Sequence, residues 1–393
     1  MRLVYLTLCA AALVGCSDTS PIAPPRTKLL PRDEVPEPKV VQEKFDPRSV
    51  KELLEAAVAS RFGRVTLPPD AFSKSADAVH PDMACMPGGW NGANCWLLYT
   101  PYQNSDPSWE NPGFLLAGDD TSWLTPSAIQ NPIVPYPGVG SYNSDPDQAL
   151  DPGTQRLIQV FRVVADTMNR IMLMSTADAR QWTRPVVAFA VHSHDAVSPS
   201  LVIEPDRAAK IWYVKAGAGC TALSTTVELR TAQPGPAGTF ESVQWSDPTT
   251  TDLSIRGYVI WHLDVQEVAS GGYIALIAAY PRGSICSQSD LWLARSQDGL
   301  AWQTLPLPIF WRGMTIAKRR DISTWYRGTL QYDPNTDILD VWPSALAGPA
   351  WTIYHTKVRL GQITELMASA LPSDMRSIRA SSALVPGASI PMP

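Results

Sequence analysis

The chain has 393 residues, with 37 acidic and 32 basic side chains and a formal net charge of −5. That balance provides no basic face for a polyanion, which excludes recruitment by nucleic acid. Six cysteines are present, and the two within the first 16 residues (Cys9 and Cys16) leave an even set of four for the body of the protein.

In chain order, residues 1–15 carry one basic side chain, Arg2, followed by the apolar run LVYLTLCAAALVG. The run is too short to span a bilayer and reads as a cleaved signal peptide. Leu13-Val14-Gly15-Cys16 resembles the lipobox of bacterial lipoproteins. That resemblance implies that Cys16 becomes an acylated, palmitate-bearing first residue. Ser17 after it, by resemblance to lipoprotein sorting in enteric bacteria, implies the outer membrane. The expected location is therefore the cell envelope, with membrane contact through the lipid alone. Residues 16–45 are rich in proline and charge (SPIAPPRTKLLPRDEVPEPK), cannot bury a core and read as an extended tether. Residues 46–63 predict a helix, with Asp46 as N-cap, Pro47 in the first turn, apolar side chains at helical spacing and Gly63 after its end.

From residue 64 the pattern changes. Tryptophans at 123, 182, 245 and 302 recur at intervals of 57 to 63 residues, each after a turn: GDDTSW, STADARQW, TFESVQW and SQDGLAW. Repetition at this length marks stacked supersecondary units, because one unit cannot bury its own faces. Ser296-Gln297-Asp298-Gly299-Leu300-Ala301-Trp302 has the form of an Asp box, a hairpin turn of propeller blades. Ahead of each later tryptophan, and once after the last, lie two apolar runs joined by a short turn, three of them with an acid-Pro pair (Asp151-Pro152, Glu204-Pro205, Asp333-Pro334). Three strands, a turn and a fourth strand ending in tryptophan make one blade, and five units start near residues 80, 143, 198, 258 and 323. The predicted fold is all-β: a five-bladed β-propeller over residues 64–375 with an N-terminal helix packed on its rim and a flexible tail, 376–393. A β-sandwich with chance tryptophans is the competing arrangement, and the four matched turns favour the propeller.

Cys85 and Cys95 flank MPGGWNGAN in the first unit, and Cys220 and Cys286 occupy equivalent places after the second strands of successive units. Four cysteines allow three pairings; position favours Cys85 with Cys95 and Cys220 with Cys286. Zinc is disfavoured because no histidine stands at ligand spacing from these cysteines. No cofactor and no metal-ligating residues are expected, and the sequence leaves open whether a central ion fills the channel.

In a propeller the first strand of each blade lines the channel. These strands hold His80-Pro81-Asp82, Asn143-Ser144-Asp145-Pro146-Asp147, Asp195 with Ser198-Pro199-Ser200, Trp261-His262-Leu263-Asp264, and Trp325-Tyr326-Arg327. Alternation places His80 with Asp82, Asn143 with Asp145 and Asp147, and His262 with Asp264 on shared faces. Carboxylates crowded near one axis raise each other's pKa, an arrangement more common in functional sites than structural ones.

The stretches His80-Pro81, Gly89-Trp90-Asn91-Gly92, Tyr99-Thr100-Pro101-Tyr102, Glu110-Asn111-Pro112 and Asn143 to Asp147, followed by SPSLVIEP, WHLDV and WYRGTL, resemble a group of bacterial and phage glycosidase-like proteins over roughly residues 80 to 345. More distantly the chain is similar to the five-bladed arabinanase, invertase and levansucrase group. This resemblance implies a channel-end pocket with three carboxylates from successive blades, hence glycoside hydrolysis of a carbohydrate. Carried over, Asp82 matches the first-blade carboxylate and Asp145 the second-blade carboxylate that orients the others. The third blade has no carboxylate at the matching place, which leaves Asp195, Glu110 or Asp264 as general acid, with Glu110 and Asp264 favoured. Glycosidic cleavage needs one acid to protonate the leaving oxygen and one carboxylate to attack or activate water. Trp90, Trp109 and Trp261 can offer an apolar face to a sugar ring, His80, His262, Tyr326 and Arg327 can bond hydroxyls or a substrate carboxylate, and Asn143, Asp147 and Asp195 are further candidates to bind substrate from the same channel-facing segments.

Structural roles compete with these. The four periodic tryptophans are expected in blade cores, and Asp178 and Asp298 are expected to bond their own turns. Asp82, Asp145 and Asp264 can equally form an inter-blade network. The rivals to an enzyme are a non-catalytic glycan-binding propeller and a scaffold in envelope assembly.

Overall fold

The computed structural model describes residues 47–369, apart from 59–61, 72, 118–121, 128, 166, 193, 270 and 317–320. The expected signal peptide, the tether with Cys16, the N-cap Asp46 and the tail 376–393 lie outside the described residues.

Helix α1 (Pro47–Val58) is followed by a short strand, β1 (Gly63–Arg64). Four blades then follow in order: β2 to β5 (Ala78–Trp90, Ala93–Pro101, Gly113–Ala117, Trp123–Leu124), β6 to β9 (Ser141–Leu150, Leu157–Ala165, Met168–Thr176, Val186–His192), β10 to β13 (Val197–Ile203, Ala209–Lys215, Thr226–Ala232, Thr249–Thr250) and β14 to β17 (Tyr258–Glu267, Tyr273–Pro281, Asp290–Ser296, Trp302–Thr304). The fifth blade has β18 to β20 (Ile322–Asp333, Ile338–Ala347, Ala350–Arg359), and helix α2 (Leu360–Ser369) follows. Each sheet is an antiparallel meander of four strands, which is the predicted five-bladed propeller.

Three local expectations are corrected. The helix does not reach residue 63: Gly63 and Arg64 pair with His355 and Tyr354 of β20, so an N-terminal strand completes the last blade and closes the ring. The fourth strand does not end in tryptophan; Trp123 and Trp302 open theirs, while Trp182 and Trp245 precede β9 and β13. In the fourth blade the indole folds back on its own turn, Trp302 Nε1 donating to Gly299 O at 3.0 Å. Helix α2 was not anticipated; its Ile363 and Met367 share a core with Val50, Leu54 and Val58 of α1 and with strands of the last two blades.

Trp123, Trp245 and Trp302 are buried, and half-buried Trp182 packs edge-on against Phe114 of the neighbouring blade. The Asp boxes close as expected. Asp298 Oδ1 accepts from the backbone N–H groups of Leu300 and Ala301 at 2.8 Å, and Asp178 Oδ1 from Arg180 and Gln181 at 2.9 and 2.8 Å. Both disulfides form as paired above, Cys85 with Cys95 across the first hairpin and Cys220 with Cys286 between the third and fourth blades.

All five first strands carry a register irregularity at the same height: Val79/Asp82, Ser144/Asp147, Val197/Ser200, Ile260/His262 and Trp325/Gly328. In three of them the residue before a proline is left-handed, His80 at φ 51°, Asp145 at φ 50° and Ser198 at φ 54°. A bulge inserts an unpaired residue and re-aims its neighbours. It therefore splits each channel-facing strand into an entrance level, where the strand begins, and a far level.

Candidate active site at the channel entrance

At the far level the strands are latched in sequence. Asp82 Oδ2 accepts from the Gln148 N–H at 2.8 Å, Asp147 Oδ1 from Leu201 at 2.7 Å, Ser200 Oγ from Val265 at 2.8 Å and Asp264 Oδ2 from Leu330 at 3.1 Å; the Thr329 hydroxyl returns to Asp82 Oδ1 at 3.3 Å. Each blade thus satisfies a backbone donor of the next, and the last side chain closes the circle. Arg327 is fully buried among these groups, its Nη2 donating to Asp147 Oδ2 at 2.7 Å and to Pro199 O at 3.3 Å. Burial and then the neighbouring carboxylate push Asp82 and Asp147 well above the usual range, and burial raises Asp264 despite Arg327.

Asp82 and Asp264, expected as catalytic, therefore belong to the inter-blade network, as do Asp147 and Arg327, expected to bind substrate. The bulges cause this, by placing residues two apart in sequence at different depths. Trp90, expected as a sugar platform, is also corrected. It is buried on the first hairpin, its indole donates to Gln155 O at 3.0 Å, and it packs edge-on against Trp96. Asp195 is half-exposed in the turn before β10, its N–H donating to His192 O.

The entrance level holds the others. His80 Nδ1 lies 3.0 Å from Thr100 Oγ1 and 3.3 Å from Glu110 Oε2, and its Nε2 lies 3.2 Å from Asp145 Oδ1. His262 Nδ1 is 3.6 Å from the same Oδ1. Arg162 Nε is 3.0 Å from Asp145 Oδ2, which also accepts from the Ser198 N–H at 3.1 Å. Burial alone would raise the Asp145 carboxyl, but Arg162, then the two imidazoles and Arg327, outweigh it and hold the group well below the usual range. Burial pulls His262 well below the ordinary imidazole value against the attraction of Asp145. Glu110 comes from the connection between β3 and β4, which returns to the entrance. Its position is reinforced by Asn111, whose Nδ2 donates to Val134 O and whose Oδ1 accepts from Asn143 at 2.6 Å. Asn143, expected to touch substrate, instead braces this loop.

The rim is aromatic. Trp261 donates its indole N–H to Tyr326 Oη at 3.1 Å, and Tyr326 packs edge-on against His262 with centroids 4.4 Å apart. Trp351 flanks Tyr326 at 5.3 Å and donates to Ser105 Oγ at 2.8 Å, tying the fifth blade to the first. Trp109 is half-exposed beside Glu110.

Within this buried group His80 Nε2, Asp145 Oδ1, both ring nitrogens of His262 and Glu110 Oε2 have no hydrogen-bond partner in the protein. Buried polar atoms are normally paired. With its proton on Nδ1, shared with Thr100 Oγ1, His80 turns the Nε2 lone pair toward Asp145 Oδ1, the tautomer suited to a ligating imidazole. Two lone pairs at that separation repel unless a cation lies between them. Ligand atoms about 2.0–2.2 Å from one ion stand roughly 3–3.5 Å apart, close to the spacings found. His80, Asp145 and His262 are thus a donor set suited to a borderline divalent cation. Asp82, Asp147 and Asp264 also bring oxygens together, but each already caps a backbone N–H and Arg327 supplies a cation. Shape points elsewhere: a cavity of about 210 Å³ opens at the far level, lined by Asp82, Asp147, Asp264 and Gln331. Arg327 Nε and Nη1 and Gln148 Oε1 are also without partners at the far level, but the unpartnered imidazole and carboxylate atoms, the kinds that ligate a cation or move a proton, gather at the entrance.

The metal-type set was missed in sequence because its members come from three blades with no common motif spacing. A usable signal was present. Proline inside a central strand is confined to bulges, and Pro81, Pro146 and Pro199 follow His80, Asp145 and Ser198.

No known family profile matches the chain. It is similar to an A type blood N-acetyl-α-D-galactosamine deacetylase of Flavonifractor plautii, 25% identical over 337 residues, spanning 71% of this chain and 42% of that protein's length. The chain thus spans less than half of that relative. Among solved structures it is similar to an N-acetylgalactosamine deacetylase from F. plautii in complex with blood group B trisaccharide (TM-score 0.68, 19% identity, 79% of this chain and 98% of that one). It is also similar to a thermostable family-43 glycoside hydrolase (TM-score 0.51, 12% identity, 75% and 92%). These likenesses define a five-bladed propeller of the kind found among carbohydrate-active proteins.

Proposed function

We propose that the protein is a carbohydrate-processing hydrolase that removes the acetyl group of an N-acetylated sugar at the channel entrance, assisted by a divalent cation held by His80, Asp145 and His262. The observation that carries this reading is the convergence of buried, unpartnered imidazole and carboxylate atoms on one point. The similarity to a sugar deacetylase over 71% of the chain supports it.

A cation bound there polarises a carbonyl oxygen and lowers the pKa of a water. The protein's own groups do the rest. Arg162 and the Ser198 N–H keep Asp145 ionised and fix its orientation. Thr100 and Glu110 hold the ring of His80. Glu110, whose Oε2 lies 3.3 Å from His80 Nδ1 and has no hydrogen-bond partner in the protein, is the carboxylate assigned to accept a proton from the attacking water and return it to the departing nitrogen. Half-exposed Trp109 and Tyr326 offer apolar surface to a pyranose ring, with buried Trp351 backing Tyr326.

Glycosidic cleavage is the second reading. It is favoured by Glu110 and Asp145 flanking His80, and by the family-43 likeness in fold. It requires one protonated and one ionised carboxyl; Asp145 is held ionised, so the acid's role would fall to Glu110. By its leader the protein is assigned to the bacterial envelope, exported and anchored through Cys16.

One assay separates the alternatives. The purified protein is incubated with N-acetylated glycosides and polysaccharides, with chelator and with divalent cations restored, while acetate and reducing sugar are measured. Acetate release that chelator abolishes is the expected result. Reducing sugar without acetate transfers the assignment to glycoside hydrolysis; glycan binding without either product makes the protein a binding module.

A further inference from the structure

Tyr326 and Arg327 are neighbours in sequence that serve opposite levels of the channel. The irregularity between Trp325 and Gly328 sends Arg327 into the far-level network and leaves Tyr326 at the entrance. Gly328 makes this possible, since a Cβ there would lie 2.9 Å from both Pro343 Cα and Leu276 Cδ2. The fifth blade can therefore press close enough to set the phenol against the two histidines.

The hydroxyl is polarised by its surroundings in a definite direction. A phenol offers one O–H donor and acceptor lone pairs. The acceptor side is engaged by the Trp261 indole at 3.1 Å, and among the described residues the O–H hydrogen meets no acceptor. The ring is fixed on three sides, 4.4 Å from His262, 5.3 Å from His80 and 5.3 Å from Trp351. Trp351 is itself tethered to Ser105. A donor that is rigid, fed by an N–H behind it and placed beside the imidazoles of His80 and His262 is preorganised for charge that develops during reaction.

We propose that the Tyr326 hydroxyl is the hydrogen-bond donor to the substrate's carbonyl oxygen as that oxygen becomes an oxyanion, a role that rests on the deacetylase reading above. As water adds to the amide carbon, the new C–O bond forms, the carbonyl π pair moves onto oxygen, and that oxygen accepts from Tyr326 while Glu110 takes the water proton. Collapse restores the carbonyl and breaks the C–N bond. The nitrogen leaves with the proton from Glu110, giving acetate and the amine. Tyr326 is unchanged throughout.

The test compares full-length wild type, Tyr326→Phe and Trp261→Phe, each loaded with the same divalent metal. Acetate release, bound metal per chain and melting temperature are measured. Tyr326→Phe keeps the ring and removes only the O–H. Its kcat is expected to fall about 100- to 1,000-fold, with KM within about 3-fold and metal content unchanged. Trp261→Phe retains the O–H and is expected to lose less than about 10-fold. An active wild type with a Tyr326→Phe kcat within about 3-fold of it, or a rise in KM alone, overturns the donor role and leaves the deacetylase reading standing. A wild type that releases no acetate from any N-acetylated sugar overturns both. A Tyr326→Phe variant that loses metal or melts well below wild type assigns the residue a structural role, which also overturns the proposal.

Discussion

The two levels of the channel are built from the same strands, and in blades one, two and four from residues only two apart, yet they are chemically opposite. At the far level Asp82, Asp147 and Asp264 each take a backbone N–H from the next blade and gather around Arg327. At the entrance Asp145 is also latched, through Ser198, but its second oxygen, the His80 Nε2 facing it and both ring nitrogens of His262 have no hydrogen-bond partner in the protein. A buried carboxylate is therefore no guide to function by itself. What its oxygens already bond decides whether it stiffens the ring or remains available to a ligand.

The comparison breaks most severely at the metal-type set. His262→Ala or His80→Ala is expected to abolish stoichiometric metal binding and to lower turnover by about 1,000-fold or more, read by elemental analysis and acetate release. Retained metal and activity would return both imidazoles to the core. Glu110→Gln should keep the metal and lose about 100- to 10,000-fold in kcat; loss of metal instead would place Glu110 among the ligands.

At the far level the expected losses are in stability rather than turnover. Asp147→Ala leaves the fully buried Arg327 with only its more distant carboxylates and strips the Leu201 N–H of its acceptor. A cost of up to about 3–5 kcal/mol is expected in denaturant unfolding, with catalysis by the folded fraction little changed. Reduced kcat at full stability would show that the levels are coupled.

Proton linkage gives the smallest and sharpest contrast. Asp82, Asp147 and Asp264 hold protons more tightly folded than unfolded, so their stabilisation is complete below about pH 4 and is lost as pH rises through their raised folded values. Asp145 is depressed, so its contribution is present above about pH 4 and lost below it. Asn at position 264 imitates the protonated acid and can still accept from Leu330. In chelator-treated protein the melting temperature of Asp264→Asn relative to wild type should therefore climb between pH 5 and pH 9, by about 2–4 °C. A flat difference would mean that the cluster ionises without cost.

Much of this architecture was legible in the chain. The blade starts, the Asp boxes, both disulfides and the burial of Trp123, Trp245 and Trp302 followed from a repeat, because each reflects contacts made within one unit or at equivalent places in adjacent units. His80, Glu110, Asp145, His262, Trp261 and Tyr326 were on the candidate roll and meet at the entrance. Trp90, Asp82, Asp147, Asp264 and Arg327 were there too, and were misplaced because strict alternation knows nothing of a bulge. Alternation puts His80 and Asp82 on one face; the left-handed His80 before Pro81 sends them to different depths.

What the sequence determined alone was everything periodic: five units, their turns, their cross-links and the residues lining a common channel. Local sterics and hydrophobic repetition suffice for that. Tertiary structure alone decided that β1 from the start of the described chain closes the last blade, that Arg327 neutralises the far level, and that His80, Asp145 and His262 converge. These depend on distances between blades as far apart in sequence as residues 80 and 262, which close only when the ring is complete.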